Sequence, residues 1–193
     1  MSRSELPPGQ HERGDILRWN IDHPGIIPTN PRIDLEKWTL TVDGEGTKPC
    51  TFTWGQLLGL PTTESKSDFH CVEGWSVRDC KWFGVKFSTL LELVKPSGDA
   101  RYATFKCFDG CSTSLSLEEL ASEDVLLAYK LNDKPLETPL GGPMRLVVPS
   151  KYAYKSTMWV ERITFTKKKE LGFWERRGYS DTAYVWRNDR FAR

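Results

Sequence analysis

The sequence has no long apolar run, almost no net charge and only three histidines, and each shortage removes a class of function. No stretch approaches the roughly 18 to 20 apolar residues that span a bilayer, and the opening MSRSELPPGQHERGD lacks the apolar core of a signal peptide, so the chain is expected to be cytoplasmic with no membrane span. Lys plus Arg number 27 against 26 Asp plus Glu, which leaves no basic stripe for a nucleic-acid partner; any bound anion must be held locally. His11, His23 and His70 are too few and too scattered to order a Ser–His–Asp triad, and His11 falls in a polar leader. Neither GxxxxGK[ST] nor GxGxxG occurs, so a P-loop and a dinucleotide fold lack support. The cysteine count of five is odd, which suits reduced thiols better than a disulfide scaffold.

What is present fits one domain of 193 residues, long enough to bury a substantial core. Residues 1–15 are rich in Pro, Gly and charge and are expected to be a flexible leader, with the domain proper over 16–193. From Arg18 to Arg32 three prolines break any periodicity, yet Ile and Trp are present, so an ordered loop on the domain surface is expected. EKWTLTVD (36–43) alternates as a half-buried strand. Thr53 with Gln56, and Ser116 with Glu119, form capping boxes for two short helices, the first ended by Pro61, and a further helix is expected over 89–94. Strand patterns recur at 68–72, 102–108, 125–130, 145–148 and 159–166. No βαβ rhythm appears, so the fold class is α+β, β-rich and mixed. The last two of the eight Trp, Trp174 and Trp186, fall in a tail, 173–191, that is expected to pack back on the domain through its rings.

Four places invite chemistry. In DFHCVEGWSVRDCKWFGV, Cys71 ends an apolar strand ahead of a glycine loop, where a thiolate can face a pocket, although a strand cysteine is more often a small buried hydrophobe. Cys71 with His23 could be read as a Cys–His hydrolase pair, with no family signature behind it. Zinc and iron–sulfur sites favour two tight cysteine pairs with about two to four intervening residues; Cys107 and Cys111 qualify, Cys71 and Cys80 do not. In GGPMRLVVPSKYAYKSTMW, Gly141 and Gly142 permit close approach of a ligand to the backbone, and Arg145, Lys151 and Lys155 can hold a phosphate, Arg by a bidentate fork. Glu118 and Glu119 read as helix surface.

Taken in order, RWNIDHPGI, EKWTLTVDG, DFHCVEGWSV, FDGCSTSLSLEEL, VLLAYKLNDKPL, GGPMRLVVP and KYAYKSTMWV resemble the molybdopterin-binding domain of the sulfite oxidase family, from about Arg18 to the C-terminus. The resemblance implies an oxidoreductase with one molybdenum–molybdopterin per chain, Cys71 being the protein ligand to the metal, where a soft thiolate suits a thiophilic centre. It implies contacts to the pterin and its phosphate from Asn20, His23, Arg145, Lys155, Ser156, Thr157 and Met158. His70, Arg78 and Cys107 become candidates to orient substrate or tune the metal.

This sequence departs from the family in having Leu140 before the glycines, where relatives often carry His or Asn. Cys111 stands for the Tyr of a DGY motif, Cys107 sits near a slot for a small hydroxyl residue, and Arg78 lies at a spacing unlike that of the sulfite-binding Arg. The expected activity is oxygen-atom transfer on a small substrate, S-oxide or N-oxide reduction or sulfite-type oxidation, with electrons exchanged with a separate partner. Two other readings remain: a noncatalytic cofactor-binding or interaction module, and a regulatory domain with a zinc or iron–sulfur site on Cys71, Cys80, Cys107 and Cys111.

Overall fold

The computed structural model of the chain describes residues 5–192; Met1 to Ser4 of the expected leader, and Arg193, lie outside the described residues. In chain order the elements are β1 (His11–Arg13), β2 (Thr39–Gly44), β3 (Cys50–Thr53), α1 (Trp54–Leu58), β4 (Thr63–His70), β5 (Trp75–Lys86), α2 (Phe87–Val94), β6 (Tyr102–Cys107), β7 (Ser112–Ser116), α3 (Leu117–Leu120), β8 (Leu126–Leu131), β9 (Lys134–Pro135), β10 (Arg145–Val147) and β11 (Val160–Thr166). They form two mixed sheets with few helices, the α+β, β-rich class that the sequence indicates.

The first sheet is organised by β5. One edge of this long strand pairs with β4 along most of its length; the other takes β1, in parallel, at Trp75 to Val77 and then β8 at Trp82 to Lys86. β10 adds beyond β8, and β9 closes a hairpin on it. The second sheet runs β3-β2-β11-β6-β7, with β2 and β11 parallel and the rest antiparallel. Trp38, Leu40, Phe87, Phe105, Leu146 and Phe165 fill the core between elements of the two sheets, each worth about 1.5 to 3 kcal/mol of transfer free energy. A second cluster, Phe69, Trp75, Val77, Trp82 and Val147, packs on the first sheet and forms the floor beneath the site. No helix is long and apolar enough to cross a membrane among the described residues.

Both capping boxes form. Thr53 accepts from the Gln56 amide at 3.3 Å while the Gln56 side chain accepts from the Thr53 amide at 2.9 Å, and Ser116 and Glu119 repeat the exchange at 3.2 and 3.0 Å.

The leader requires correction from residue 11 onward. His11 to Arg13 pair with Trp75 to Val77, and Gln10 donates from Nε2 to the Cys71 carbonyl at 3.1 Å. A polar segment can join a sheet because the ladder is made by backbone groups and asks little of side chains when the strand is exposed. The two glycines before Arg145 also act differently from expectation. A Cβ on Gly142 would meet the Leu136 carbonyl oxygen at 2.0 Å, and Gly141 has φ +101, so they admit another stretch of this chain, and neither lines the site cavity.

Candidate active site

The principal cavity encloses about 890 Å³ of open space, solvent at its mouth included. Four segments build it. The arm brings Ile16, Leu17, Trp19, His23 and Ile26; the β4–β5 region brings Phe69, Cys71, Val72, Glu73 and Trp75; β10 and the following loop bring Arg145, Ala153, Tyr154, Ser156, Thr157 and Met158; the β6–β7 turn and the tail bring Asp109, Cys111, Trp174 and Tyr179.

Cys71 sits in the tight loop that turns β4 into β5. Its amide donates to the Trp75 carbonyl at 2.8 Å, and the Gly74 amide donates back to the Cys71 carbonyl at 3.1 Å. Gly74 holds φ +102, a conformation that favours glycine. Burial pushes the Cys71 thiol up to about 12, and its Sγ–H points to Glu73 Oε2 at 3.7 Å. A thiol in this condition is inert to most electrophiles at neutral pH, but a metal ion displaces the proton and takes the thiolate as ligand. Glu73 also accepts from Trp75 Nε1 at 3.2 Å and from His23 Nε2 at 2.8 Å. Although partial burial works against it, the His23 and Trp75 hydrogen bonds hold this carboxyl below the usual carboxylate range.

His70 is one position away and faces elsewhere, as strand alternation requires. It is buried, with Nδ1 at 2.7 Å from Ser76 Oγ, whose hydroxyl donates to Gln10 Oε1 at 2.9 Å; Gln10 in turn holds the Cys71 carbonyl. Burial lowers its pKa, so the ring is neutral. His70 therefore buttresses the Cys71 loop from behind and does not line the cavity. Arg78 is likewise outside the lining: its Nε meets Glu12 Oε2 at 3.2 Å, beside the strand formed by the supposed leader.

Arg145 lies 3 % exposed at the cavity wall. Nη1 donates to the Leu140 carbonyl at 2.9 Å and Nη2 to the Ser156 carbonyl at 2.8 Å, while its guanidinium carbon stands 4.9 Å from the Phe69 ring centre and 5.7 Å from that of Trp82. Nε has no hydrogen-bond partner, and no salt bridge involves this residue among the described residues. Burial pulls its pKa down to about 10, which still leaves a full positive charge at neutral pH. A buried cation with carbonyls and rings for company, and no carboxylate, is electrostatically incomplete; an anion in the cavity completes it.

Lys155 departs from expectation. It is fully buried but outside the lining, donating to Thr113 Oγ1 at 3.0 Å, to the Ser114 carbonyl at 3.2 Å and to Glu175 Oε1 of the tail. Its charge is neutralised by the chain itself, and it braces the Ser156–Met158 stretch from below. Asn20 is also displaced from the expected role. Its Oδ1 accepts from the Gly25 amide at 2.8 Å and its Nδ2 donates to Asn30 at 3.0 Å, which folds the arm so that Trp19 and His23, rings 4.9 Å apart, reach the cavity. Cys107 is buried behind the wall, where burial raises its thiol well above the ordinary value. Cys111 lines the wall instead, with its thiol pushed up to about 12 by burial. Of the residues that the resemblance assigns to the cofactor or substrate, His23, Cys71, Arg145, Ser156, Thr157 and Met158 converge on the cavity.

Sequence reasoning missed Glu73, Trp19, Asp109, Tyr154 and the contribution of the tail. Glu73 was legible as part of the CVEGW motif. The tail residues were legible as rings: Trp174 and Tyr179 stand 5.6 Å apart and Tyr154 and Tyr179 5.4 Å apart, all three facing the cavity. The four-cysteine metal site does not assemble. Cys80 packs with Trp82, Cys107 and Cys111 belong to the other cluster, and no group of three or more His, Cys, Asp or Glu side chains could hold a metal ion among the described residues.

These features fit a molybdenum–pterin cofactor. The cavity offers a soft sulfur donor at Cys71, an anion site with an unmet donor at Arg145, and flat aromatic walls suited to a ring system. The residues that would hold the group are Cys71 at the metal and Arg145 at the phosphate.

A family model described as "Oxidoreductase molybdopterin binding domain" matches residues 27–174. Among curated proteins, the chain is 38 % identical over 186 residues to "Uncharacterized oxidoreductase YuiH" of Bacillus subtilis, covering 96 % of this chain and 91 % of that one. It is 32 % identical over 148 residues to "Putative protein-methionine-sulfoxide reductase subunit YedZ1" of Azospira oryzae, covering 77 % of this chain and 56 % of the relative. It is 30 % identical over 187 residues to "Protein-methionine-sulfoxide reductase catalytic subunit MsrP" of Campylobacter jejuni, covering 88 % and 62 %. The chain thus spans less than two thirds of those two reductase subunits. Among solved structures, the sulfane dehydrogenase SoxCD of Paracoccus pantotrophus superposes with a TM-score of 0.68 at 23 % identity, over 76 % of this chain and 41 % of that one, a likeness of fold.

Proposed function

The chain belongs to the oxidoreductase molybdopterin-binding domain family, and we propose that it reduces a neutral S-oxide of the methionine sulfoxide type with electrons from a separate donor. The observation that carries this reading is the charge of the cavity. Among the described residues Arg145 is the one Lys or Arg that lines the cavity, and it is buried where the cofactor phosphate would claim it. A dianion such as sulfite needs several cations to replace its hydration, and this lining does not offer them. Aromatic and aliphatic walls instead favour a substrate with an apolar sulfur substituent. The names of the two reductase subunits point the same way.

When bound, molybdenum supplies the two-electron couple through which an oxygen atom leaves or joins the substrate. The chain's part is binding and electrostatics. Cys71 holds the metal; Arg145 holds the phosphate end; the His23–Glu73 hydrogen bond fixes the arm over the Cys71 loop; and Trp19, Trp75, Tyr154 and Trp174 shed water from the substrate space. In balance, one S-oxide, two electrons and two protons give one sulfide and one water. The odd number of cysteines supports a cytoplasmic setting within this proposal.

The test compares the molybdenum-loaded protein with reduced viologen and methionine sulfoxide or trimethylamine N-oxide against sulfite with ferricyanide. Turnover of the S-oxide with poor sulfite oxidation is expected. A sulfite kcat/KM of about 10⁴ M⁻¹s⁻¹ or more, the ordinary enzyme range, would overturn the substrate assignment.

A further inference from the structure

The C-terminal tail does more than wall the cavity, because it also links the Cys71 loop to the surface. Arg190 donates one N–H to the carbonyl of Val72, the residue that follows Cys71, and another to the Gly9 carbonyl at 2.8 Å. The next residue, Phe191, is 62 % exposed. Its ring lies 5.6 Å from that of Tyr179, which faces the cavity. The surface at Phe191 is therefore reached from the metal-binding loop through one peptide link, one hydrogen bond and one residue of tail.

The turn beside this ring carries two arginines. The Ala192 amide donates to the Gly178 carbonyl at 2.9 Å, which sets Phe191 next to the turn carrying Arg176 and Arg177. Both are exposed, and their guanidinium groups bond carbonyls, those of Leu171 and Phe173, with no salt bridge to either among the described residues. Arg177 also stacks over Phe173 at 3.5 Å. Glu175, the acid between Trp174 and these arginines, is buried against Lys155 and contributes no surface charge. An exposed Phe and two arginines without a carboxylate partner among the described residues, with Leu171, whose carbonyl Arg176 bonds and which is itself 53 % exposed, have the composition of a protein interface.

We propose that this tail face is the docking surface of the electron donor, a small acidic one-electron carrier protein seated over Phe191 with its carboxylates against Arg176 and Arg177. The proposal rests on the reductase reading above. Electron transfer slows steeply with distance, so a donor must seat where few links separate it from the metal ligand, and redox encounters of this kind use small, charge-steered contacts. Each docking oxidises the carrier by one electron; two dockings, with two protons from water, convert one S-oxide to sulfide and water.

The probe is a reduced acidic plant-type ferredoxin, used with the molybdenum-loaded protein and methionine sulfoxide, and compared with reduced viologen, which needs no docking surface. Arg176→Glu/Arg177→Glu and Phe191→Glu are each expected to raise the KM for ferredoxin by about tenfold and to weaken its salt dependence, while the viologen-driven rate stays within about twofold. Independently of turnover, titration of oxidised ferredoxin into the holoprotein, followed by NMR, is expected to shift signals from the tail, and to lose that response in the double variant. Equal ferredoxin KM in all proteins, or ferredoxin that neither binds nor donates while viologen works, overturns the docking surface, the second pointing to another class of donor. Failure with viologen in the unaltered protein overturns the reductase reading itself.

Discussion

His23 donates from Nε2 to Glu73 Oε1 at 2.8 Å across 50 positions of sequence, and so ties the proline-rich arm to the loop that presents Cys71. Both side chains are partly exposed, so the bond is worth about 1 kcal/mol or less to stability. Its consequence lies in placement. His23→Ala is expected to leave the melting temperature nearly unchanged but to speed amide exchange across 18–30, where the Asn20 amide bonds the His23 carbonyl at 2.6 Å. Unaltered exchange in the arm would show that Asn20 and Asn30 hold it unaided.

Arg145 gives a sharper separation of binding from folding. Lys can supply charge at the same depth but not the fork that reaches the Leu140 and Ser156 carbonyls and leaves Nε for the cavity. Arg145→Lys is expected to weaken cofactor retention by about tenfold, a loss of about 1.4 kcal/mol, with a smaller effect on unfolding of the empty protein. Pterin content after gel filtration, set beside urea melts of the empty proteins, measures both; equal pterin occupancy contradicts the assignment.

The Lys155–Glu175 pair is fully buried, so removing one partner strands the other's charge. Lys155→Met alone is expected to cost about 3 to 5 kcal/mol, and Lys155→Met/Glu175→Leu to recover most of it. If the double variant is stable but binds no pterin, Lys155 reaches the cofactor after all and the bracing role is wrong. Losses that simply add in the double variant would show that the two charges do not compensate each other.

Acid sensitivity should trace in part to Glu119. Burial disfavours its charged form, but the Lys151 ammonium at 2.6 Å and the Ser116 amide outweigh this and hold the carboxyl down to about 2, against an ordinary 4.5. A depressed folded-state pKa stabilises above the unfolded value and loses that contribution as pH falls between the two. Glu119→Gln keeps the helix cap, so its destabilisation should be clear in urea melts at about pH 6 and should shrink by about pH 3. A cost that stays constant over that range would remove the ion pair as its source.

How much of this was legible in the sequence depended on range. Capping boxes are decided within four residues, and both were readable. β5 went unread because Asp79 adopts φ +56 and its amide bonds Asp68 at 2.9 Å, a bulge that shifts the register against β4 and breaks the alternation a period-two pattern depends on. β1 carries no apolar signal, and only its pairing with Trp75 to Val77 reveals it. In the site, Cys71 and Arg145 were readable because motifs fix them. Lys155 shared a motif with Ser156 and Thr157, but its direction is set by Glu175, twenty residues on, and no local pattern reports that.

The account stands most directly on Cys71 as the protein ligand of a molybdenum–pterin group. The decisive measurement is metal content together with fluorescence of the released, oxidised pterin, made on the unaltered protein and on Cys71→Ser, both produced in cells that make the cofactor. The account predicts about one molybdenum per chain with matching pterin in the first, and loss of molybdenum with a cooperative urea melt retained in the second, because a hydroxyl is nearly isosteric with the thiol but a poor soft-metal ligand. Zinc or iron in place of molybdenum, or full molybdenum retention by Cys71→Ser, would contradict it.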